Sequence, residues 1–98
     1  MKNQIKIVML TPFETFSKQR EFKMQFKNGE TFRDLVNNLI MKFGESFKSA
    51  LLDESSKIKD SVMVLKDGAN ISAKDDSGYS LRLENGQEYV FCAVVSGG

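Results

Sequence analysis

The sequence predicts one long amphipathic helix in a chain whose other regular segments are mostly strands. From Phe32 to Phe43, apolar residues recur at spacings of three and four, so they form one continuous stripe along a helix. Thr31 with Asp34 three residues later resembles a capping box at the start, and Gly44 stands where a left-handed C-terminal cap would go. One such helix can cover only one face of a sheet, which restricts the fold.

The remaining regular segments are predicted strands, separated by Asn-Gly and Asp-Gly turn signals. Their bounds are Gln4 to Leu10, Glu21 to Lys27, Val62 to Lys66, a short return through Ile71, and Glu88 to about Val95. The first two strands are predicted to form an antiparallel hairpin. Residues 11–19 and 53–59 are predicted loops, 75–78 a turn, and 45–52 a short second helical turn. The order predicts an α+β fold with a mixed four- to five-stranded sheet and one main helix on one face.

The first and last strands are apolar on both faces. In the first strand, Ile5, Ile7 and Met9 share one face, and Val8 and Leu10 share the other. The last strand alternates in the same way, with Tyr89, Phe91 and Ala93 opposite Val90, Cys92 and Val94. Such strands belong at the centre of a sheet. Because one helix covers only one face of the sheet, the second apolar face is left uncovered, which predicts a partner site. The alternative is that residues 45–52 or 66–84 fold across that face.

Composition excludes several classes of function. The 98 residues are enough for one domain, and 41% of them are hydrophobic. With no histidine and a single cysteine, the chain has no imidazole base, no Cys–His pair, no internal disulfide and no histidine or four-cysteine metal site. Cys92 is therefore predicted to be a sheet residue. A net charge of +1 argues against a dedicated nucleic-acid binder. We see no secretory signal and no membrane span, and expect a cytoplasmic protein.

Four segments in the same order carry a resemblance to a known family. They are Thr31–Val36 (TFRDLV), Val62–Gly68 with Ile71, Leu83–Glu88 (LENGQE) and Val95–Gly98 (VSGG). Together they resemble the MoaD/ThiS sulfur-carrier family, in the longer form also seen among archaeal ubiquitin-like small modifiers and Urm1-type proteins. The chain departs from the family at Ala93 and Val94, where proline is frequent. The resemblance implies a ubiquitin-like β-grasp domain over residues 1–95 and a flexible Gly-Gly tail over residues 96–98.

The resemblance also implies a site at the end of the chain. An E1-like adenylating enzyme of the MoeB/ThiF type would convert the α-carboxylate of Gly98 to an acyl-adenylate, and sulfur transfer would leave a thiocarboxylate. AMP and sulfur are thus transient covalent groups, and we expect no bound cofactor or metal. Gly97 and Gly98 suit a narrow adenylation site because glycine has no side chain. By the same resemblance, the surface that binds partners comprises Val8, Leu10, Ile71, Cys92, Val94, Val95 and Ser96.

The leading prediction is a sulfur carrier for molybdopterin synthesis, acting as the small subunit of the synthase beside a large subunit of the MoaE type. It is a carrier protein rather than an enzyme, with no nucleic-acid or membrane partner. A carrier for thiamine ranks lower, since such carriers tend to lack an insert like residues 45–59. A carrier for tRNA thiolation, a protein modifier joined through Gly98 to lysines, and an interaction domain with an inert tail stay open as alternatives.

Overall fold

In the computed structural model, which describes residues 3–71 and 76–94, five strands form one sheet with helices packed on one of its faces. The strands are β1 (Gln4–Met9), β2 (Glu21–Gln25), β3 (Val62–Lys66), β4 (Ala69–Asn70) and β5 (Glu88–Ala93). Their order across the sheet is β2-β1-β5-β3-β4. The β1–β5 pair is parallel and the other pairs are antiparallel. The predicted α+β fold with a mixed sheet is confirmed.

The helices are α1 (Glu14–Ser17), α2 (Phe32–Phe43), α3 (Glu45–Leu51) and α4 (Asp76–Tyr79). At the start of α2, the backbone N–H of Thr31 donates to Asp34 Oδ2 over 2.8 Å, as the predicted capping box requires. Gly44 joins α2 to α3 with a φ of 90° and a ψ of −170°, so it has the positive φ of the predicted cap without the left-handed helical ψ. A side chain would be strained at that φ. In the described residues, no helix is long and apolar enough to cross a membrane.

The core lies between the sheet and α2. Ile5, Ile7 and Met9 of β1 face it, and the ring of Phe32 stacks on Tyr89 of β5 at 5.6 Å between centroids. Folding removes these large apolar side chains from water into a closely packed interior, and burying each one stabilises the fold by about 1.5–3 kcal/mol. The prediction that the two strands with apolar faces are central is confirmed by the place of β1 and β5 in the sheet.

The sequence left open that residues 45–52 or 66–84 cover the second apolar face of the sheet. The core residues of these segments lie on the helix side instead. Phe47 and Leu51 of α3 are fully buried in the same core as α2. Tyr79 and Leu83 belong to that core as well, and the Tyr79 ring lies 6.0 Å from the ring of Phe32. These parts of both segments therefore pack on the helix side. Within residues 3–71 and 76–94, the apolar side chains of the other face belong to no part of this core.

Several predicted boundaries differ from the structure. The predicted loop 11–19 contains α1, and the predicted turn 75–78 overlaps α4. A helix of four residues makes about one turn and leaves no repeated apolar spacing to detect. The strands β1, β2 and β5 also end one or two residues earlier than predicted, at Met9, Gln25 and Ala93.

Candidate partner interface

The face of the sheet away from the helices, here called the outer face, is formed by alternate residues of four strands. Strand register fixes which residues these are: Val8 lies opposite Glu21 on one side and Val90 on the other. Leu65 lies opposite Val90. Successive side chains point to opposite sides of a strand, so residues two apart share a face.

Seven side chains of the outer face form an apolar patch that spans β1, β5 and β3. They are Val8, Leu10, Met63, Leu65, Val90, Cys92 and Val94. None of them belongs to the core on the helix side. Val94 is 44% exposed, whereas Val8 is 9% exposed because neighbouring side chains on both adjoining strands surround it. A continuous apolar surface of this kind on a small domain is typical of a protein interface.

A charged group borders the patch. The ammonium of Lys6 lies 3.3 Å from a carboxylate oxygen of Glu21 and 3.5 Å from one of Glu88, so it bridges β2, β1 and β5. The hydrogen bond to Glu21 is the main cause of the raised pKa of Lys6. Exposed ion pairs such as these contribute little to stability. They give the outer face a charged half beside an apolar half, which favours one orientation of a partner.

The end of β5 is held on both sides where it leaves the sheet. The N–H of Ala93 donates to the carbonyl of Thr11 over 3.3 Å, and the N–H of Val94 donates to the carbonyl of Ser61 over 2.8 Å. Because β1 and β5 are parallel, Leu10 and Val94 emerge at the same end of the sheet. The chain therefore leaves the sheet beside the apolar patch, four residues before Gly98.

Most predicted residues of the partner surface lie where the sequence indicated. Val8, Leu10, Cys92 and Val94 are on the outer face. Ile71 is not: its N–H donates to the carbonyl of Val64 over 3.0 Å, and its side chain packs against the helix-side core. Its predicted placement was wrong, because pairing across the 67–68 turn puts it level with a core-facing residue. The predicted site residues Val95, Ser96, Gly97 and Gly98, and the tail 96–98, lie outside the described residues.

Sequence reasoning missed three members of the apolar patch. Met63 and Leu65 alternate with the buried Val62 and Val64, which is the same two-faced pattern that identified the first and last strands. Val90 lies on the face predicted for it, although the partner surface predicted from the sequence does not include it. For all three residues, the alternation of side chains along the strand is visible in the sequence.

Cys92 has the surroundings of a structural residue. Its Sγ lies 3.7 Å from the carbonyl oxygen of Met63, and burial raises the pKa of its thiol. A reactive cysteine needs a lowered pKa instead. Among the described residues, no three His, Cys, Asp or Glu side chains are grouped so as to hold a metal ion.

A mixed five-stranded sheet with its main helix packed on one face is the ubiquitin-like β-grasp fold, and solved structures match it along the whole chain. They include the small archaeal modifier protein 1 of Methanosarcina acetivorans, with a TM-score of 0.74, 22% identity, and 100% of this chain and 99% of that one covered. Urm1 of Trypanosoma brucei gives 0.75 and 20%, covering 99% and 97%. A putative molybdopterin converting factor, subunit 1, of Pyrococcus furiosus gives 0.72 and 18%, covering 95% and 99%.

No family model and no curated protein sequence matches the chain. At these identities the structural matches establish the β-grasp fold. The names of the matched proteins are those of small modifiers and of a converting-factor subunit.

Proposed function

We propose that this chain is a ubiquitin-like sulfur carrier that is activated at the carboxylate of Gly98 and donates sulfur in molybdopterin synthesis. One observation carries the proposal. The end of β5 is fixed by hydrogen bonds to Thr11 and Ser61 at the margin of an uncovered apolar patch. A partner bound to the patch would therefore meet the segment that leads to Gly97-Gly98.

The chemistry requires nothing from the side chains of this protein. A carboxylate oxygen of Gly98 attacks the α-phosphorus of ATP and displaces pyrophosphate, which gives an acyl-adenylate. A sulfur donor at the oxidation level of sulfide then attacks the carbonyl carbon and displaces AMP, which leaves a thiocarboxylate. The enzyme that binds the tail supplies the catalytic groups. This division of labour fits a chain that has no histidine and whose only cysteine has a raised thiol pKa.

Two partners follow from this role: an activating enzyme of the E1 type, and the large subunit of a molybdopterin synthase. Both need access to the same carboxylate, so they would use the same outer face in turn. The molybdopterin role is supported by the similarity in fold to the converting-factor subunit of Pyrococcus furiosus.

A second candidate is a protein modifier joined through Gly98 to substrate lysines. The observation in its favour is the equally close structural match to a small archaeal modifier protein. It needs the same adenylate, and the two roles differ only in which nucleophile takes the acyl group, a sulfur donor or a lysine amine. A sulfur carrier for tRNA or thiamine would likewise share the first step.

Intact-mass measurement of the protein isolated from its own cells separates these roles. A sulfur carrier is expected to show a species heavier by the difference between sulfur and oxygen, and a thiol-specific alkylating reagent adds one more group to that species than to the unmodified protein, whose one thiol is Cys92. A variant that lacks Gly98 provides the control, and it should show neither species. Covalent ladders on other proteins without any thiocarboxylate species would replace the carrier role with the modifier role.

A further inference from the structure

A groove on the helix side of the molecule lies outside the proposed function. It runs between α2, the end of α3 with the loop that follows, and α4. The residues that line it, here called the helix-side groove, are Arg33, Val36, Asn37, Ile40, Lys48, Leu52, Ser56 and Tyr79. The outer face is on the other side of the sheet, so the two surfaces share no residue.

The helix-side groove has an apolar floor and a polar rim. Val36 and the ring of Tyr79 are buried, while Ile40 and Leu52 are half-buried and line the floor. The rim consists of exposed side chains: Arg33, Asn37, Lys48 and Ser56. An apolar floor with a few polar groups around it is the usual composition of a binding groove.

The rim carries positive charge. Two of its side chains, Arg33 and Lys48, are cationic, and none of the described lining residues is acidic. Among the side chains described, those of residues 3–71 and 78–94, neither cation forms an ion pair. The nearby carboxylate of Asp53 accepts hydrogen bonds from the N–H groups of Ser55 and Lys57, at 2.8 and 3.1 Å, and so is engaged within its own loop.

The walls of the helix-side groove are preformed. The guanidinium carbon of Arg33 lies 4.8 Å from the centroid of the Tyr79 ring, a cation–π contact that positions the charge at the rim. The hydroxyl of the same tyrosine accepts a hydrogen bond of 2.7 Å from the N–H of Ile58, which fastens the loop to α4. Preformed walls reduce the entropy lost when a ligand binds.

An exposed apolar residue continues the line of the rim along α2. Met41 is 83% exposed, and with Arg33 and Asn37 it forms a line at spacings of four on one side of the helix. The line is about 12 Å long at 1.5 Å per residue. An extended peptide covers that distance with about four residues. The dimensions suit a peptide better than a compact molecule.

We propose that the helix-side groove binds an acidic peptide segment of a partner protein. An apolar side chain of the peptide would lie on Ile40 and Leu52, and a carboxylate would lie between Arg33 and Lys48. The cationic rim selects acidic over basic segments, because unlike charges attract across a partly desolvated surface. Since the outer face is on the other side of the sheet, this second partner can bind while the first is in place.

The test uses the full chain and two capped peptides, one alternating leucine with aspartate and the other alternating leucine with lysine. Amide chemical shifts of the ¹⁵N-labelled protein are followed as each peptide is added. The acidic peptide is expected to move the amides of Asn37 and Ser56 and to leave those of Val90 and Cys92 in place. Equal binding of both peptides, shifts confined to the outer face, or no shifts at all would overturn the proposal.

Charge reversal supplies the matched control. The double variant Arg33→Glu/Lys48→Glu is expected to weaken binding of the acidic peptide about tenfold or more. The variant Lys23→Glu/Lys27→Glu changes net charge equally at exposed positions outside the groove, and is expected to have less than a twofold effect. Arg33→Glu also removes the contact of Arg33 with the Tyr79 ring. If that loss disturbs α2, the single variant Lys48→Glu tests peptide binding instead, because Lys48 does not contact that ring. Equal weakening by both double variants would show that net charge alone governs binding.

Discussion

At the scale of single residues, the two faces of each central strand have different roles. Leu39 of α2 is fully buried against the helix-side face of the sheet, whereas Leu10 lies half-buried at the edge of the outer face. Burial on the helix side contributes to stability through close packing, and truncation there leaves a cavity. An apolar side chain on the outer face loses part of its water contact only when a partner binds.

Changing Leu10 to Asp is therefore expected to weaken binding to the activating enzyme at least about tenfold, or about 1.4 kcal/mol. Its effect on the free energy of unfolding should be well below the about 2–5 kcal/mol expected for Leu39→Ala. Calorimetric titration gives the first quantity and urea denaturation the second. Gln25→Asp places the same charge at an exposed outer-face position away from the patch, and serves as control. A Leu10→Asp protein that unfolds as easily as Leu39→Ala would show that this position is core. Val8, at 9% exposed, is a poorer probe since a charge there also disturbs the sheet.

Tyr89 links stability to pH. Its hydroxyl donates to Gln87 Oε1 at 3.1 Å in the core, and burial, aided by the charges of Asp67 and Glu84, raises its pKa from 10.0 to about 12. Between these values the folded state holds a proton that the unfolded state has lost. The contribution of Tyr89 to the free energy of unfolding is thus complete below pH 10 and declines as the pH rises towards 12. Across that interval we expect the free energy of unfolding to fall by about 2 kcal/mol more than in Tyr89→Phe, measured by urea denaturation. An equal decrease in the free energy of unfolding of the unchanged protein and of Tyr89→Phe would show that Tyr89 is not responsible for it.

At the scale of elements, local signals predicted α2 more accurately than they predicted how strands pair. The start of α2 depends on contacts within four residues, so the sequence shows it directly. The face to which Ile71 belongs depends on pairing across the Asp67-Gly68 turn, which sets Lys66 opposite Ala69 and Leu65 opposite Asn70. The next pair brings Ile71 level with Val64, on the core side. The Asp67-Gly68 turn signal is visible in the sequence, and counting pairs outward from it gives the correct face of Ile71.

The capping contact of α2 makes a testable prediction at this scale. Asp34 Oδ2 accepts hydrogen bonds from the N–H and the hydroxyl of Thr31, at 2.8 and 3.2 Å. Asp34→Ala is expected to lower the free energy of unfolding by about 1 kcal/mol, because it leaves an N-terminal N–H without its partner. Asn37→Ala, an exposed change on the same helix, should have an effect below about 0.5 kcal/mol. Thermal or urea unfolding measures both, and an Asp34→Ala protein as stable as Asn37→Ala would show that the cap does not contribute.

At the scale of the whole molecule, the chain places all of its described helices on one side of the sheet. The sequence predicts this arrangement. It contains one long helix, which can cover only one face of a sheet whose central strands are apolar on both faces. The fold and the position of the outer face could therefore be predicted. The charged border made by Lys6 with Glu21 and Glu88 could not, because it joins three strands whose register depends on the whole sheet. The helix-side groove was missed for a similar reason: its lining comes from elements that are distant in sequence.

The central claim is that an activating enzyme acts on the carboxylate of Gly98. ATP–pyrophosphate exchange by the cognate enzyme tests it most directly, with the full chain compared with a chain that lacks Gly98 and with one extended beyond it. We predict exchange with the full chain only, and unchanged amide spectra for all three, because terminal residues contribute little to packing. Exchange supported equally by the shortened chain would contradict the claim.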